Sequence, residues 1–116
     1  IVAAHTDAHK PFLETVPALI VVFRKDYDLD EQGERSKNYS VQDSVGIATG
    51  MLLAALHHAG LGTLTHTPSP MNFLAKLLER PSNERAYLLI PVGYPSETCT
   101  VPDFTRKSLS EILVEY

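Results

Sequence analysis

The 116-residue sequence has a single cysteine and no tryptophan. With Cys99 alone there can be no internal disulfide and no cysteine-based metal cluster, which points to a reducing, cytoplasmic setting. Positive charge is also in short supply. Ten Lys and Arg stand against 14 Asp and Glu, a net charge of −4, so the basic stripe of a nucleic-acid binder is missing. No apolar run approaches the roughly 20 residues that cross a bilayer, and no charged-then-apolar leader opens the chain, so no membrane segment is expected. Signature loops are absent too: there is no Gly-Lys-Ser/Thr phosphate loop and no Gly-x-Ser-x-Gly nucleophile elbow. Gly60-Leu61-Gly62 begins like a dinucleotide fingerprint, but it lacks the third glycine and closes a helix instead of opening one. Of the five histidines, His57 and His58 are neighbours on a helix and point about 100° apart, poor geometry for chelation. His5, Asp7 and His9 could share a strand face but lack a further ligand, so no metal site is expected.

What is present is the make-up of a packed domain, 44% apolar and 21% charged, with length for one domain at most. Residues 17–23, Pro-Ala-Leu-Ile-Val-Val-Phe, read as a strand covered on both faces. Residues 24–38 are charged, with Gly33 near the middle, and read as an exposed loop. A helix is predicted from about Ser40 to Ala59, with Ser40 and Asp43 forming an approximate capping box. Its body is apolar nearly all round, which requires burial on several sides. Gly46 and Gly50 lie one turn apart and would admit another backbone closely, the pattern of a helix–helix seam that could lie between two subunits. Gly60 and Gly62 end this helix, and residues 62–67 alternate like a strand stopped by Pro68. A short helix over Phe73–Leu78, a buried strand over Tyr87–Val92 and an apolar tail over Leu109–Val114 complete a layered α and β arrangement.

Three places carry chemistry. Thr65-His66-Thr67-Pro68 puts two hydroxyls on a strand end, where they could grip the edge of a heteroaromatic ring. Taken alone, this corner is also what the β-propensity of threonine produces. Arg106-Lys107 offers a guanidinium fork that matches phosphate, although such a pair is more often a solvated patch. Lys10, a cation in a polar stretch, has the same ordinary explanation.

Several segments taken in order narrow these readings. Ser44 to Leu56, Ser-Val-Gly-Ile-Ala-Thr-Gly-Met-Leu-Leu-Ala-Ala-Leu, followed by Ala59-Gly60-Leu61-Gly62-Thr63, resembles the central helix and next strand of the flavin-dependent nitroreductase superfamily. Thr67-Pro68, Leu77-Leu78-Glu79-Arg80-Pro81, Pro91-Val92-Gly93-Tyr94-Pro95 and Val101-Pro102-Asp103 with Arg106-Lys107 are similar to its iodotyrosine deiodinase branch. The likeness runs from about Lys10 to the C-terminus.

The resemblance implies an α+β fold: a three-layer α/β/α arrangement with a mixed, largely antiparallel sheet and a long buried central helix. It implies a homodimer with FMN in pockets at the subunit interface. By position, Thr65, His66 and Thr67 would line the isoalloxazine, the Thr67 hydroxyl would meet flavin N5, and Arg106 would hold the phosphate. Lys10 resembles the lid lysine that pairs with a halotyrosine carboxylate. A hydrogen bond at N5 favours one-electron steps, which suits reductive dehalogenation of a small aromatic substrate, with NAD(P)H or a reductase as donor. A general NAD(P)H nitro- or quinone reductase is the enzymatic alternative, and a non-catalytic flavin-binding or dimerisation module is the other. Two departures stand out. His66 replaces a third threonine common in the branch, and no Arg-Arg-Ser-type motif is present. The expectation is therefore that Ile1 to Tyr116 forms the C-terminal part of one FMN-binding domain.

Overall fold

The computed structural model describes residues 9–116. In chain order the elements are α1 (Phe12–Thr15), β1 (Ala18–Lys25), β2 (Tyr27–Leu29), β3 (Arg35–Lys37), α2 (Val41–His58), β4 (Gly62–Thr63), α3 (Asn72–Leu77), β5 (Glu84–Gly93) and α4 (Leu109–Ile112). β5 is the middle strand of a three-stranded sheet ordered β1-β5-β4. Every strand pair among the described residues is antiparallel, so the parallel component of the expected mixed sheet is not among them.

The apolar runs predicted as strands become β1 and β5, and their register decides which side chains share a face. Val21 pairs with Leu89 and Ile20 with Ile90. Paired residues in an antiparallel ladder project to the same side, and successive residues alternate. Leu19, Val21, Phe23 and Leu89 therefore face one way and, with Leu13 of α1 and Phe73, Leu74, Leu77 and Leu78, line an apolar cavity of about 460 Å³. Ile20, Val22, Leu88 and Ile90 face the other way, towards α2. A bulge opens between Val22 and Phe23, where β5 carries Tyr87 as an extra residue. A Cβ added at Gly46 of α2 would come within 3.3 Å of the Tyr87 hydroxyl. So the close approach expected at Gly46 is to a side chain of β5, and helices lie on both faces of the sheet. Ile90, fully buried, is the centre of the core, with Leu74, Leu89 and Val92 around it.

The 24–38 segment differs from expectation. It is a small hairpin of β2 and β3, not a bare loop. Asp30 organises its turn, its Oδ1 accepting from the backbone N–H groups of Gln32 at 3.0 Å and Glu34 at 2.7 Å. Gly33 takes the left-handed conformation the turn requires, with φ of 81°. Asn83, buried at the start of β5, ties the hairpin down through Nδ2, which donates to the Tyr27 carbonyl at 2.8 Å. Arg24 and Arg85 oppose each other across the strands, a repulsive pairing that Asp26 relieves by ion pairs at 2.9 and 3.0 Å.

The predicted long helix is found at Val41–His58, but two of its expected features are not. Ser40 sits in the left-handed region with φ of 51°, outside the extended conformation of a capping residue, and makes no side-chain cap hydrogen bond, so no capping box forms. Nor is the helix buried among the described residues. Thr49 is its one buried residue, while Ile47 and Met51 are 69% and 70% exposed. The inward stripe of Val45, Gly46, Thr49, Leu52, Leu53 and Leu56 meets the sheet; Ile47, Ala48, Gly50, Met51, Ala54 and Ala55 form a second apolar face with no cover. The tail is likewise undocked: residues 94–116 are exposed throughout. Total accessible surface is 9896 Å², whereas a compact monomer of this mass exposes roughly 6300 Å².

The C-terminus of α3 closes in a Schellman motif, with Arg80 N–H donating to the Ala75 carbonyl at 2.9 Å. Its left-handed position is taken by Glu79, with φ of 49°, where glycine would be unstrained. Glu79→Gly is expected to stabilise the fold by about 0.5–1 kcal/mol, the relief of left-handed strain less the added chain entropy. Equilibrium denaturation measures it, and a destabilised variant would show that Glu79 holds the turn by another means. Next to it, Arg80 and Glu84 form a two-pronged ion pair at 2.7 and 3.0 Å, and the guanidinium holds the Glu84 carboxyl below its ordinary range.

Candidate active site

The segment from α2 to Pro68 is positioned from both ends. At its start, Gly60 adopts φ of 80° and closes α2 in a Schellman motif: Leu61 N–H donates to Leu56 at 3.0 Å and Gly60 N–H to His57 at 2.9 Å. The chain then runs antiparallel to β5. Gly62 pairs with Gly93 and Thr63 with Val92, and Leu64 N–H donates to the Pro91 carbonyl at 3.3 Å. Regular pairing ends there, shorter than the predicted strand over residues 62–67, because later residues leave the ladder except at one point. That point is His66, whose N–H donates to Leu89 at 2.8 Å and whose carbonyl accepts from Leu89 at 2.9 Å.

This bridge orients the three candidate residues. His66 shares a face with its partner Leu89, the face of the apolar cavity. Thr65 and Thr67, one residue to either side, belong to the other face by the period of an extended chain. Both are exposed, and neither hydroxyl has a hydrogen-bond partner among the described residues. The imidazole of His66 is half-buried against the ring of Phe12, edge to face, with centroids 6.1 Å apart and planes at 80°.

Phe12 brings Lys10 with it. Leu13 N–H donates to the Lys10 carbonyl at 3.0 Å, and Glu14 N–H to that of Pro11 at 3.1 Å, so Lys10 is wound into the turn that opens α1. Lys10 is half-buried. The structure thus brings the Lys10 segment and His66 together beside Leu89, in the middle of β5. Arg106 lies on the irregular exposed segment between β5 and α4, and its guanidinium makes no hydrogen bond or ion pair among the described residues. No contact among these residues joins it to the threonines. Phe12 and Leu89 were not singled out from sequence. Leu89 was hidden in an ordinary apolar strand, and only the position of Phe12 two residues after Lys10 hinted at its role.

A larger cleft of about 730 Å³ lies at the N-terminus of α2, lined by charged residues including Arg24, Arg35 and Lys37. None of the candidate residues lines it. No cluster of three or more His, Cys, Asp or Glu suited to a metal exists among the described residues, and the His5–Asp7–His9 grouping lies mostly outside them. No helix among them is long and apolar enough to cross a membrane.

Comparison with known proteins adds to this geometry. A family model described as the nitroreductase family matches residues 2–94. The iodotyrosine deiodinase of Haliscomenobacter hydrossis is 64% identical over 111 residues, which cover 96% of this chain and 50% of that protein. That of Drosophila melanogaster is 45% identical over 113 residues, 96% of this chain and 39% of the relative. Among solved structures, oxidized iodotyrosine deiodinase bound to FMN and 3-iodo-L-tyrosine is similar with a TM-score of 0.71 and 35% identity, over 92% of this chain and 50% of that one. An FMN-containing oxidoreductase at 17% identity shares the fold, with a TM-score of 0.69. This chain spans about half the length, or less, of the curated relatives it matches.

Proposed function

This chain belongs to the nitroreductase family, and we propose that it supplies the C-terminal part of an FMN-dependent oxidoreductase that dehalogenates iodinated tyrosine. The observation that carries this reading is that the Phe12–His66 ring contact brings the Lys10 segment to the stretch of chain that exposes the unpaired Thr65 and Thr67 hydroxyls. The donor set fits the cofactor. Hydroxyls at Thr65 and Thr67 suit the nitrogen- and oxygen-bearing edge of a flavin, and the Arg106 guanidinium suits a phosphate dianion. The deiodinase relatives and the FMN-bound deiodinase structure support the same assignment.

In the net reaction the aryl carbon–iodine bond takes up two electrons and one proton, yielding a C–H bond and iodide. FMN, when bound and reduced, would supply those electrons, with a donor of the NAD(P)H class or a reductase to restore it. The protein's own residues position the partners. Thr67 offers its hydroxyl as a donor at N5, Lys10 pairs with the substrate carboxylate, and Arg106 clamps the phosphate. The uncovered face of α2 forms the seam of a homodimer. The lone, exposed Cys99 suits a cytoplasmic protein.

Anaerobic incubation of the reduced holoprotein with 3-iodo-L-tyrosine should release iodide. Reduction of nitroaromatics without iodide release would instead identify a general reductase, and a protein that binds no flavin would overturn the reading. Thr67→Ala is expected to merge two one-electron steps of a reductive titration into a single two-electron step, with flavin affinity nearly unchanged. Titration curves identical to the parent's would remove Thr67 from this role.

A further inference from the structure

We propose that the cleft of about 730 Å³ between the β2–β3 hairpin and the first turn of α2 binds a small phosphate-bearing anion. It is separate from the residues assigned to the flavin and its substrate, none of which lines it. The chain is acidic overall, with a net charge of −4, yet Arg24, Arg35 and Lys37 all line this one cleft. Two carboxylates share it with them. Asp26 is already engaged, pairing with Arg24 at 2.9 Å and with Arg85 at 3.0 Å. Asp43 is exposed in the first turn of α2 and makes no ion pair among the described residues. No acid among those residues neutralises Arg35 or Lys37 either. Arg24 adds a buried Nε–H with no aligned hydrogen-bond acceptor among them, although Asp26 lies within ion-pair distance. Cations left uncompensated in a concavity concentrate positive potential there.

The hairpin register makes the two uncompensated cations converge. Arg35 pairs with Leu29 and Lys37 with Tyr27, so both cations and the Tyr27 ring project from one side of the hairpin. The Arg35 guanidinium lies over that ring, 4.7 Å from its centroid. Such a contact uses the π face of the ring and consumes none of the five guanidinium N–H donors in a bond to oxygen. Tyr27 is itself anchored, its hydroxyl 3.2 Å from Ser82 Oγ and its carbonyl accepting from Asn83 Nδ2 at 2.8 Å. The guanidinium is therefore held before a ligand arrives, which lowers the ordering cost of binding. A planar fork beside an ammonium suits a phosphate group, the fork taking two oxygens and the ammonium a third. The cleft is far larger than a lone ion needs and falls in the range of sites for small organic ligands. A phosphate ester or diphosphate fits both the charge and the space.

The test is isothermal titration of the flavin-loaded full-length protein with inorganic pyrophosphate and with ADP, at fixed ionic strength. Both should bind. Tighter binding of ADP would mark a nucleotide as the ligand, and equal binding would mark the phosphates alone as what the cleft reads. Arg35→Ala should weaken pyrophosphate binding about 10-fold or more, the scale of a charge-assisted hydrogen bond. Arg35→Lys keeps the charge without the fork and should fall between alanine variant and parent. Lys37→Ala should cost about 2- to 5-fold, as for an exposed charge. Asp43→Asn removes the one uncompensated carboxylate of the cleft and should tighten binding about 2- to 5-fold, a gain that a damaged fold would not produce. Flavin affinity should match the parent's in every variant. Pyrophosphate that fails to bind the parent, as when the rest of the full-length chain fills the cleft, would overturn the site. So would affinities left unchanged by both Arg35→Ala and Asp43→Asn. Loss of FMN in parallel with pyrophosphate would overturn it as a separate site and make the cleft part of flavin binding.

Discussion

Introducing aspartate at both Ile47 and Met51 is expected to break the proposed homodimer into monomers. These side chains are 69% and 70% exposed, project from the α2 face opposite the sheet, and are flanked by Ala48, Gly50, Ala54 and Ala55. A continuous apolar face this large is unusual on a free surface and commonly marks an interface. Burying one Ile or Met contributes about 1.5–3 kcal/mol, so losing both removes about 3–6 kcal/mol of association energy. That corresponds to a rise of roughly 10² to 10⁴ in the dimer dissociation constant, before the cost of burying the new charges is counted. Gly50 would make the proposed seam closer still: a Cβ built on it meets nothing within 4 Å among the described residues, leaving room for a neighbouring backbone. Sedimentation velocity measures the outcome, with Glu31→Ala on the distant hairpin turn as a control. Should the double variant remain a dimer at micromolar concentration, the seam lies elsewhere.

The same helix shows what the sequence could and could not convey. Its existence and bounds were legible to within a residue or two, since a long apolar stretch ending in Gly60 has few other solutions. Its burial was legible only as a requirement. Periodicity reports that a face must be covered but not by what, and half of the α2 surface finds no cover among the described residues. β1 and β5 were legible because both faces of each are apolar, whereas the β2–β3 hairpin was hidden. Its stability comes from the Asp30 side chain, Gly33 and the distant Asn83, none of which leaves an alternating pattern. The candidate site was legible only through the resemblance, because Thr65, Thr67, Lys10 and Arg106 each also have an ordinary strand or surface explanation. That the Lys10 segment meets His66 through Phe12 was not, because the contact spans 54 positions and depends on the bridge of His66 to Leu89.

Arg106→Ala is expected to weaken FMN binding by about 1.5–3 kcal/mol, the range for a charge-assisted hydrogen bond, or roughly 10- to 150-fold in dissociation constant. The guanidinium is exposed and unpaired among the described residues, so no internal salt bridge has to be broken to engage a phosphate. Arg106→Lys keeps the charge but loses the planar fork, and should fall between parent and alanine variant. Lys107 provides the sharper comparison. It carries the same charge one residue along the same exposed segment, so a diffuse field would be weakened equally by Lys107→Ala and Arg106→Ala. A directed clamp would be lost only with Arg106. Salt separates the two cases again, since a general field between exposed charges is screened beyond about 10 Å at 0.1 M, while a direct pair is screened much less. Isothermal titration of apoprotein with FMN at low and high salt reads both contrasts. Equal losses at Arg106 and Lys107, vanishing together in salt, would reduce the segment to a basic patch and move the phosphate contact elsewhere in the fold.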